Sequence, residues 1–349
     1  MTPTPFSTRR QQSLEDIAAK AGVSRSTVSR VINNAPNVRE KTRQRVLAVI
    51  AQEGFAPNPA ARALVTQRNQ AIGVVVPIAP LTFFEDAFYF PTLLQGISQT
   101  TSKRDYAMML WLIQSEEDNQ KFFRRITTNR LMDGVIVASA AFDEPLVDHF
   151  LETNTPFVLV ERPTRHLDCV SFVSVDNTAA AYDAVTHLIK LGRRRIGHIT
   201  GNLHITDAVD RVEGYRQALG AAGIAVDEAL IVEGNFSHRS GYEGTLQLLE
   251  RGVDAIFAAN DITARGVLQA LHERNIAVPD QIALVGFDDL PTALQVTPKL
   301  TTVRQPTGER GALAASILLD MLDGRGGQPR HVILPTQLVI RSSCGAAPA

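Results

Sequence analysis

Residues 13–34 read SLEDIAAKAGVSRSTVSRVINN, and this stretch predicts the fold of the N-terminal part of the chain. Ser13 stands three positions before Asp16, an arrangement that lets a hydroxyl and a carboxylate satisfy the free backbone N–H groups of a first helical turn. The predicted helix spans about residues 14–21, and Gly22 permits the tight turn that ends it. Its apolar stripe has helical spacing and consists of Leu14, Ile17, Ala18 and Ala21.

A second short helix, about residues 25–32, is predicted directly after this turn, with Ser24 as its cap. Two helices joined by so short a turn form a helix-turn-helix, whose second helix enters the DNA major groove with its N-terminal residues foremost. Arginine can bind the O6 and N7 acceptors of guanine with two hydrogen bonds, which favours base contacts by Arg25, Ser26 and Arg30. Thr27 and Ser29 are better suited to phosphates. The predicted DNA-binding set also includes Ser24 and Asn33, and each of these residues is compatible with an ordinary helix surface.

A third helix and a short alanine-rich segment extend this module. The helix spans about residues 39–53, and its predicted core wedge consists of Val46, Leu47, Val49 and Ile50. The segment PNPAARAL at residues 57–64 reads as a helix that is marginal alone, because it is short. It fits a helix that orders with its symmetry mate on DNA, where Leu64 would wedge between base pairs from the minor groove. Arg62 joins the predicted DNA-binding residues, and a plain interdomain linker is the alternative.

Charge is distributed unevenly along the 349 residues, whose net charge is -1. Residues 1–66 contain ten Lys/Arg and four Asp/Glu, which leaves 25 Lys/Arg and 32 Asp/Glu for the rest of the chain. A basic module therefore precedes an acidic body. Concentrated positive charge favours phosphate contact through counterion release, so the charge pattern agrees with DNA binding by the first module.

From Ala71 onward, short apolar runs alternate with amphipathic segments. The predicted strands are 71–77, 106–112, 134–138, 157–161, 195–200, 230–233, 255–259 and 282–287. The predicted helices are 90–104, 116–130, 144–152, 178–191, 207–222, 239–250 and 262–274. Alternation of this sort favours parallel doubly wound sheets, and two successive series imply two lobes. Ligands of such sheets bind beyond the carboxyl ends of the strands, so a cleft between the lobes is expected.

Polar residues occur where these predicted strands end. They are Arg162, Asn260, Asp261, Asp288, Asp289 and Gln305, and Arg211 joins them at the start of the helix that follows Thr200 and Gly201. Carboxylates, amides and guanidinium groups together supply donors and acceptors, as a polyhydroxylated ligand requires when its hydroxyls are desolvated. Each residue alone could equally be a strand-end cap or a surface ion partner.

The string from Leu14 to Leu64 resembles the headpiece and hinge of the lactose-repressor (LacI/GalR) family, and the resemblance covers nearly the whole chain. In that family the headpiece binds a palindromic operator as a dimer and a hinge leucine kinks the central step. The implied fold class is α/β, with three parts: an N-terminal all-α helix-turn-helix headpiece (1–56), a hinge helix and linker (57–70), and a two-lobed periplasmic-binding-protein-like core with parallel doubly wound sheets (71–343). The N-lobe would comprise about 71–170 and 305–328, and the C-lobe about 175–300 and 331–343.

The core is similar to that of periplasmic sugar-binding proteins, in which aromatic rings stack on sugars and polar side chains bind their hydroxyls. The implied effector-binding residues are Tyr89, Phe90, Arg162, Arg211, Phe236, Asn260, Asp288 and Gln305. The resemblance favours a mono- or disaccharide effector over a purine. Extra aromatic residues at Phe83, Phe84 and Phe88 would either enlarge the stacking surface or pack a dimer face.

The resemblance predicts a homodimeric, sugar-responsive regulator, in the simplest case a repressor of carbohydrate-utilisation genes. The alternative is a corepressed or activating regulator with a non-sugar effector such as a purine. No dinucleotide, P-loop, serine-hydrolase or zinc-protease motif occurs, so we expect no catalytic residues, cofactor or metal. Cys169 and Cys344 match no metal or disulfide spacing. With no signal-like or membrane-spanning run, the expected location is the cytoplasm, without membrane contact.

Overall fold

The computed structural model describes residues 12–32, 35–55, 68–76, 88–113, 115–127, 131–138 and 145–346, and the chain divides into two units, Met1–Asn69 and Gln70–Ala349. The first unit contains the helices α1 (Leu14–Ala21), α2 (Arg25–Ile32) and α3 (Glu40–Glu53). The predicted capping box is present, since Ser13 Oγ accepts from the Asp16 N–H and the Asp16 carboxylate accepts from the Ser13 N–H. Gly22 ends α1 with a φ of 61°, in the left-handed region that glycine adopts without strain.

The three helices enclose a small apolar core formed by Ile17, Ala18, Ala21, Val28, Val31 and Val46. Val49 and Ile50 pack against it as predicted. The prediction for Leu47 is wrong, because its side chain is 47% exposed. Leu47 lies about 100° further round α3 than the fully buried Val46, on the side of the helix that faces away from this core.

In its described residues, the second unit contains two six-stranded sheets, each the centre of one lobe. The first lobe contains β1 (Ala71–Val76), α4 (Tyr89–Ser102), β2 (Ala107–Leu112), α5 (Glu116–Thr127), β3 (Gly134–Val137), α6 (Pro145–Glu152), β4 (Phe157–Leu159), β5 (Ser171–Val175), α12 (Thr307–Leu322) and β11 (His331–Leu334). The strand order is β11-β5-β4-β3-β1-β2, and all pairs are parallel. Helices therefore cover both faces of a buried sheet, as parallel sheets require.

The second lobe contains α7 (Asn177–Lys190), β6 (Ile196–Ile199), α8 (Thr206–Ala221), β7 (Ile231–Val232), α9 (His238–Glu250), β8 (Ala255–Ala258), α10 (Asp261–Glu273), β9 (Ala283–Asp288), α11 (Thr292–Gln295), β10 (Thr301–Arg304) and β12 (Gln337–Val339). Its strand order is β12-β10-β9-β8-β6-β7. β12 is antiparallel to β10, and the other pairs are parallel. Two short 3-10 helices, Glu228–Leu230 and Ser342–Cys344, complete the second lobe.

The chain passes between the lobes three times, after β5, after β10 and after β11. This routing corrects one part of the predicted boundaries. Of residues 331–343, all predicted in the C-lobe, β11 pairs with β5 in the first sheet, whereas β12 pairs with β10 in the second. β5 likewise extends the first lobe beyond residue 170. The first two crossings bring Asp176 and Gln305 to the region between the two sheets.

Candidate functional site

The N-terminal end of α2 carries a cluster of hydroxyl groups. Ser24 Oγ accepts from the Thr27 N–H at 3.2 Å and lies 2.8 Å from the hydroxyls of both Ser26 and Thr27. Ser24 therefore caps α2, as the sequence predicts. Arg25 pairs with Glu15 at 3.0 Å, with side chains 68% and 58% exposed. So exposed a pair contributes at most about 1 kcal/mol, and the guanidinium can exchange this partner for a nucleic acid.

A concavity of about 290 Å³ lies between α2 and α3. Its polar lining includes Ser24, Thr27, Arg30, Arg39, Thr42 and Arg45. Three guanidinium groups beside three hydroxyls match the donors that contact phosphates in protein–DNA complexes. Arg39 and Arg45 were absent from the predicted DNA-binding set, although the basic charge of residues 1–66 was a signal for them. The predicted residues Asn33, Arg62 and Leu64 lie outside the described residues.

In the second unit, Arg211 of α8 is buried at the carboxyl ends of the second sheet. Its Nε donates to Asn177 Oδ1 at 2.9 Å and its Nη1 donates to the Ala259 carbonyl at 2.5 Å. The guanidinium carbon lies 3.7 Å from the centre of the Phe287 ring and 5.8 Å from that of Phe236. These contacts fix Arg211 between two strand ends and two aromatic rings.

Asp288, Gln305 and Arg310 form a buried chain of hydrogen bonds that joins the lobes. Gln305 Nε2 donates to Asp288 Oδ1 at 2.5 Å, and Arg310 Nη1 donates to Gln305 Oε1 at 2.6 Å. Asp288 has a φ of 113°, a left-handed conformation that costs a non-glycine residue about 1–3 kcal/mol. Such strain persists where surrounding contacts enforce it, and it is characteristic of binding sites.

Two ion pairs connect the first lobe to α8 of the second. Arg162 Nη2 donates to both carboxylate oxygens of Asp210, at 2.8 and 3.0 Å. Arg310 Nη2 donates to Asp207 Oδ2 at 3.4 Å. Because Asp207 and Asp210 lie three residues apart on one helix, one face of α8 receives both arginines. Arg162 therefore lies at the lobe junction, as predicted from its place after β4.

Two of the predicted polar and aromatic positions, Phe236 and Asn260, meet at the other side of this junction. Asn260 caps α10 through Oδ1, and its Nδ2 donates to the Phe236 carbonyl at 3.1 Å. A Cβ on Gly201 would overlap the Phe236 ring, so this ring lies directly on the Gly201 backbone. The glycine therefore provides the space that the ring occupies.

The rings of the predicted aromatic pair of α4 are in edge contact, with centroids 5.2 Å apart, and Tyr89 packs against the core that contains Phe90. Tyr89 lies within reach of the buried network, with Arg310 Nη1 3.5 Å from its hydroxyl. Phe90 is 8% exposed and belongs to the core of the first lobe, with Leu93 and Ile97 of the same helix. The structure thus assigns Phe90 a packing contact. Phe83 and Phe84 lie outside the described residues.

Burial shifts the pKa of two groups in this network, Arg211 and Asp261. Burial lowers the pKa of Arg211, although the charges of Asp288 and Asp207 oppose the effect. Burial and the charge of Asp288 raise the pKa of Asp261, against hydrogen bonds from the Thr302 hydroxyl and the Leu290 N–H. Asp261 therefore has a structural role beneath the site, where its carboxyl group orders β10 and the loop after β9.

Arg310 and Asp207 were not predicted from the sequence. Arg310 is fully buried, and it lies four residues before Ala314 and eight before Leu318, which are core residues of α12. A charged residue on an otherwise apolar helical stripe was the signal for it. Asp207 stands in the first turn of α8, where acidic residues are ordinary, so its position carried no comparable signal.

Comparisons with known proteins agree with this architecture. Residues 13–58 match the family described as "Bacterial regulatory proteins, lacI family", and residues 185–344 match the "Periplasmic binding protein-like domain". The HTH-type transcriptional regulator CelR of Thermobifida fusca is 36% identical over 338 residues, which cover 96% of this chain and 99% of the relative.

Two solved structures superpose along nearly the whole chain. The CelR–cellobiose complex has a TM-score of 0.76 at 33% identity and covers 95% of this chain and 99% of its own. The lac repressor dimer bound to operator and the anti-inducer ONPF has a TM-score of 0.82 at 26% identity, and the match covers 97% of this chain and 100% of that chain. In the described part of the chain, no helix combines the length and the apolarity needed to cross a membrane. The chain belongs to the lacI family of bacterial regulatory proteins and is a DNA-binding transcriptional regulator with an effector-binding core.

Proposed function

We propose that this protein is a homodimeric repressor of carbohydrate-utilisation genes, which a mono- or disaccharide releases from a palindromic operator. The observation that carries the proposal is the buried polar network at the lobe junction. Donors and acceptors from both lobes meet there beside the rings of Phe236 and Tyr89. A sugar offers hydroxyls to the polar groups and C–H faces to the rings, so one ligand could bridge both lobes.

The proposed mechanism is a shift between two arrangements of the lobes. A ligand that contacts both lobes favours the closed arrangement by its differential affinity, commonly about 1–3 kcal/mol of coupling. In a dimer the changed lobe angle would alter how two headpieces and two hinge segments face the operator. The named relatives support this scheme, since CelR has been solved with cellobiose and the lac repressor has been solved as an operator-bound dimer.

On the DNA side, we propose base contacts by Arg25, Ser26 and Arg30, and phosphate contacts by the hydroxyls and arginines of the α2–α3 concavity. Asn33, Arg62 and Leu64 remain proposed contacts from the family resemblance. We further propose that the protein acts in the cytoplasm and has no enzymatic activity, in keeping with relatives that are named as regulators.

Selection of duplexes from a random pool, followed by a gel-shift titration, tests this proposal. We expect the protein to select a palindromic site. We also expect cellobiose, or another neutral sugar identified in a thermal-shift screen, to release the protein from that site. A purine that strengthens operator binding, with no sugar effect, would establish the corepressor alternative. Unchanged, non-selective binding to all duplexes would contradict both functions.

A further inference from the structure

Arg310 is the central cation of the lobe junction, and its side chain is completely buried. Its four terminal N–H groups face four acceptors, namely Gln305 Oε1, the Tyr89 hydroxyl, the Val160 carbonyl and Asp207 Oδ2. Of these four acceptors, only Asp207 Oδ2 lies on a helix of the second lobe. The Arg310–Asp207 pair is thus a charge-to-charge link between α12 of the first lobe and α8 of the second.

Among the residues that the structure describes, the carboxylates around this pair outnumber the cations. Three arginines, Arg162, Arg211 and Arg310, face four acidic residues, which are Glu161, Asp207, Asp210 and Asp288. Glu161, Asp207, Asp288 and Arg310 act together on the Tyr89 hydroxyl, so these charges share one buried region. A region whose cations are already matched by carboxylates offers no surplus positive charge to an anionic ligand.

Three buried polar atoms at this junction have no hydrogen-bond partner among the described residues. They are Asp207 Oδ1, Thr307 Oγ1 and Arg310 Nε. Thr307 and Arg310 lie three residues apart on α12, and Asp207 is the ion partner of Arg310, so the three residues are neighbours at the junction. The carboxylate oxygen can only accept, the Nε–H can only donate, and the threonine hydroxyl can do both.

A sugar hydroxyl both donates and accepts, so it can satisfy Asp207 Oδ1 together with a neighbouring donor. A phosphate dianion or a carboxylate only accepts, and it would meet the Asp207 carboxylate as a like charge in a buried place. We propose that the Asp207–Arg310 pair determines effector specificity, by selecting a neutral polyhydroxylated ligand and excluding sugar phosphates and sugar acids. This inference rests on the proposed effector site and adds the charge class of the ligand.

The experiment is isothermal titration of the full-length protein with matched probes. Cellobiose is compared with cellobiose 6′-phosphate, and methyl β-glucoside with methyl β-glucuronide, so that each pair differs by one ionised group. For the wild type we expect the neutral member to bind at least about 100-fold more tightly, because a buried like-charge contact costs several kcal/mol. Anionic members that bind as tightly as the neutral ones would overturn the inference.

Asp207→Asn supplies the residue-specific test, because the amide keeps the shape and removes the charge. We expect cellobiose affinity to fall by about tenfold or more, and the neutral-to-anionic ratio to shrink by a similar factor. Glu228→Gln is the matched control, since Glu228 pairs with Arg216 on the exposed surface of the same lobe. An unchanged ratio in Asp207→Asn would overturn the inference, and the wild-type ratio tests it even where this variant does not fold.

A gel shift with the selected operator separates this inference from the function on which it rests. If the protein binds the operator and only an anionic sugar releases it, the regulatory function stands and the inference about ligand charge is refuted. Absence of binding to any neutral probe also refutes the charge selection, and the operator titration then decides whether the regulatory function stands.

Discussion

Lowering the pH from 7 to 5 should destabilise the second lobe, because His198 of β6 is buried there in its neutral form. Its Nδ1 lies 2.9 Å from the Phe257 carbonyl oxygen, which can only accept, so Nδ1 carries the proton. Nε2 is buried and has no hydrogen-bond partner in the described part of the chain. The ring stacks between Phe257 and Tyr215, at centroid distances of 4.7 and 5.4 Å. A second proton would therefore place an unpaired charge inside the core.

The size of the effect follows from the pKa of His198. Burial, with the charges of Arg211 and Arg216, lowers this pKa from its ordinary value of 6.5 to about 4, although the hydrogen bond to Phe257 opposes the shift. Between these two values the unfolded chain binds a proton that the folded lobe does not, so stability falls as the pH decreases. The full decrease in the free energy of unfolding is about 3 kcal/mol, of which about 2 kcal/mol is expected between pH 7 and pH 5.

Urea denaturation followed by far-UV circular dichroism at a series of pH values measures this loss. His198→Phe keeps an aromatic ring in the stack and removes the titrating group, so its stability should fall by about 2 kcal/mol less than that of the wild type over this interval. His204→Gln, at an exposed position of the same lobe, should follow the wild-type curve. Parallel curves for the wild type and His198→Phe would show that His198 does not cause the loss of stability.

Three further predictions concern packing, DNA contact and effector response. Gly311→Ala should destabilise the first lobe by about 2 kcal/mol or more, since a Cβ there would overlap a backbone carbonyl of the facing helix. Gly220→Ala has open space around it and should stabilise the second lobe by about 0.5–1 kcal/mol. Equal urea midpoints for the two variants would contradict this prediction. Arg45→Ala should reduce the slope of log K against log salt for operator binding by about 1, and an unchanged slope would exclude a phosphate contact. Arg211→Ala should abolish the release of operator by sugar and leave operator affinity intact, whereas Arg30→Ala should reduce operator affinity and leave sugar binding intact. Gel shifts and sugar titrations in which both variants lose the same property would contradict this division of roles.

Local chemistry explains which parts of the fold the sequence could predict. The cap at Ser13 and the turn at Gly22 depend on residues a few positions apart, so their patterns predicted the observed geometry. The buried central strands were evident as apolar runs. β11 was assigned to the wrong lobe, because it is a short, half-exposed edge strand whose partner Phe172 is far away in sequence. Pairing at that distance depends on the routing of the whole chain.

In the effector site, too, some residues could be predicted from the sequence and others could not. Asp288 and Asn260 come directly after the predicted strands 282–287 and 255–259, so strand position predicted that they would lie at the lobe junction. Arg310 and Asp207 stand in helices, and only the approach of the two lobes brings them together. Phe90 lies next to Tyr89 in sequence, yet the helical rotation between them directs it into the core.

In the proposed mechanism, a sugar bound between the lobes controls operator affinity. The most direct measurement is the dissociation constant for the selected palindrome, by fluorescence anisotropy at fixed salt, with and without saturating neutral sugar. We expect selective binding without sugar and a loss of operator affinity of about tenfold or more with it, which corresponds to about 1.4 kcal/mol of coupling. An operator affinity that saturating sugar leaves unchanged, in a protein that calorimetry shows to be fully occupied, would contradict this mechanism.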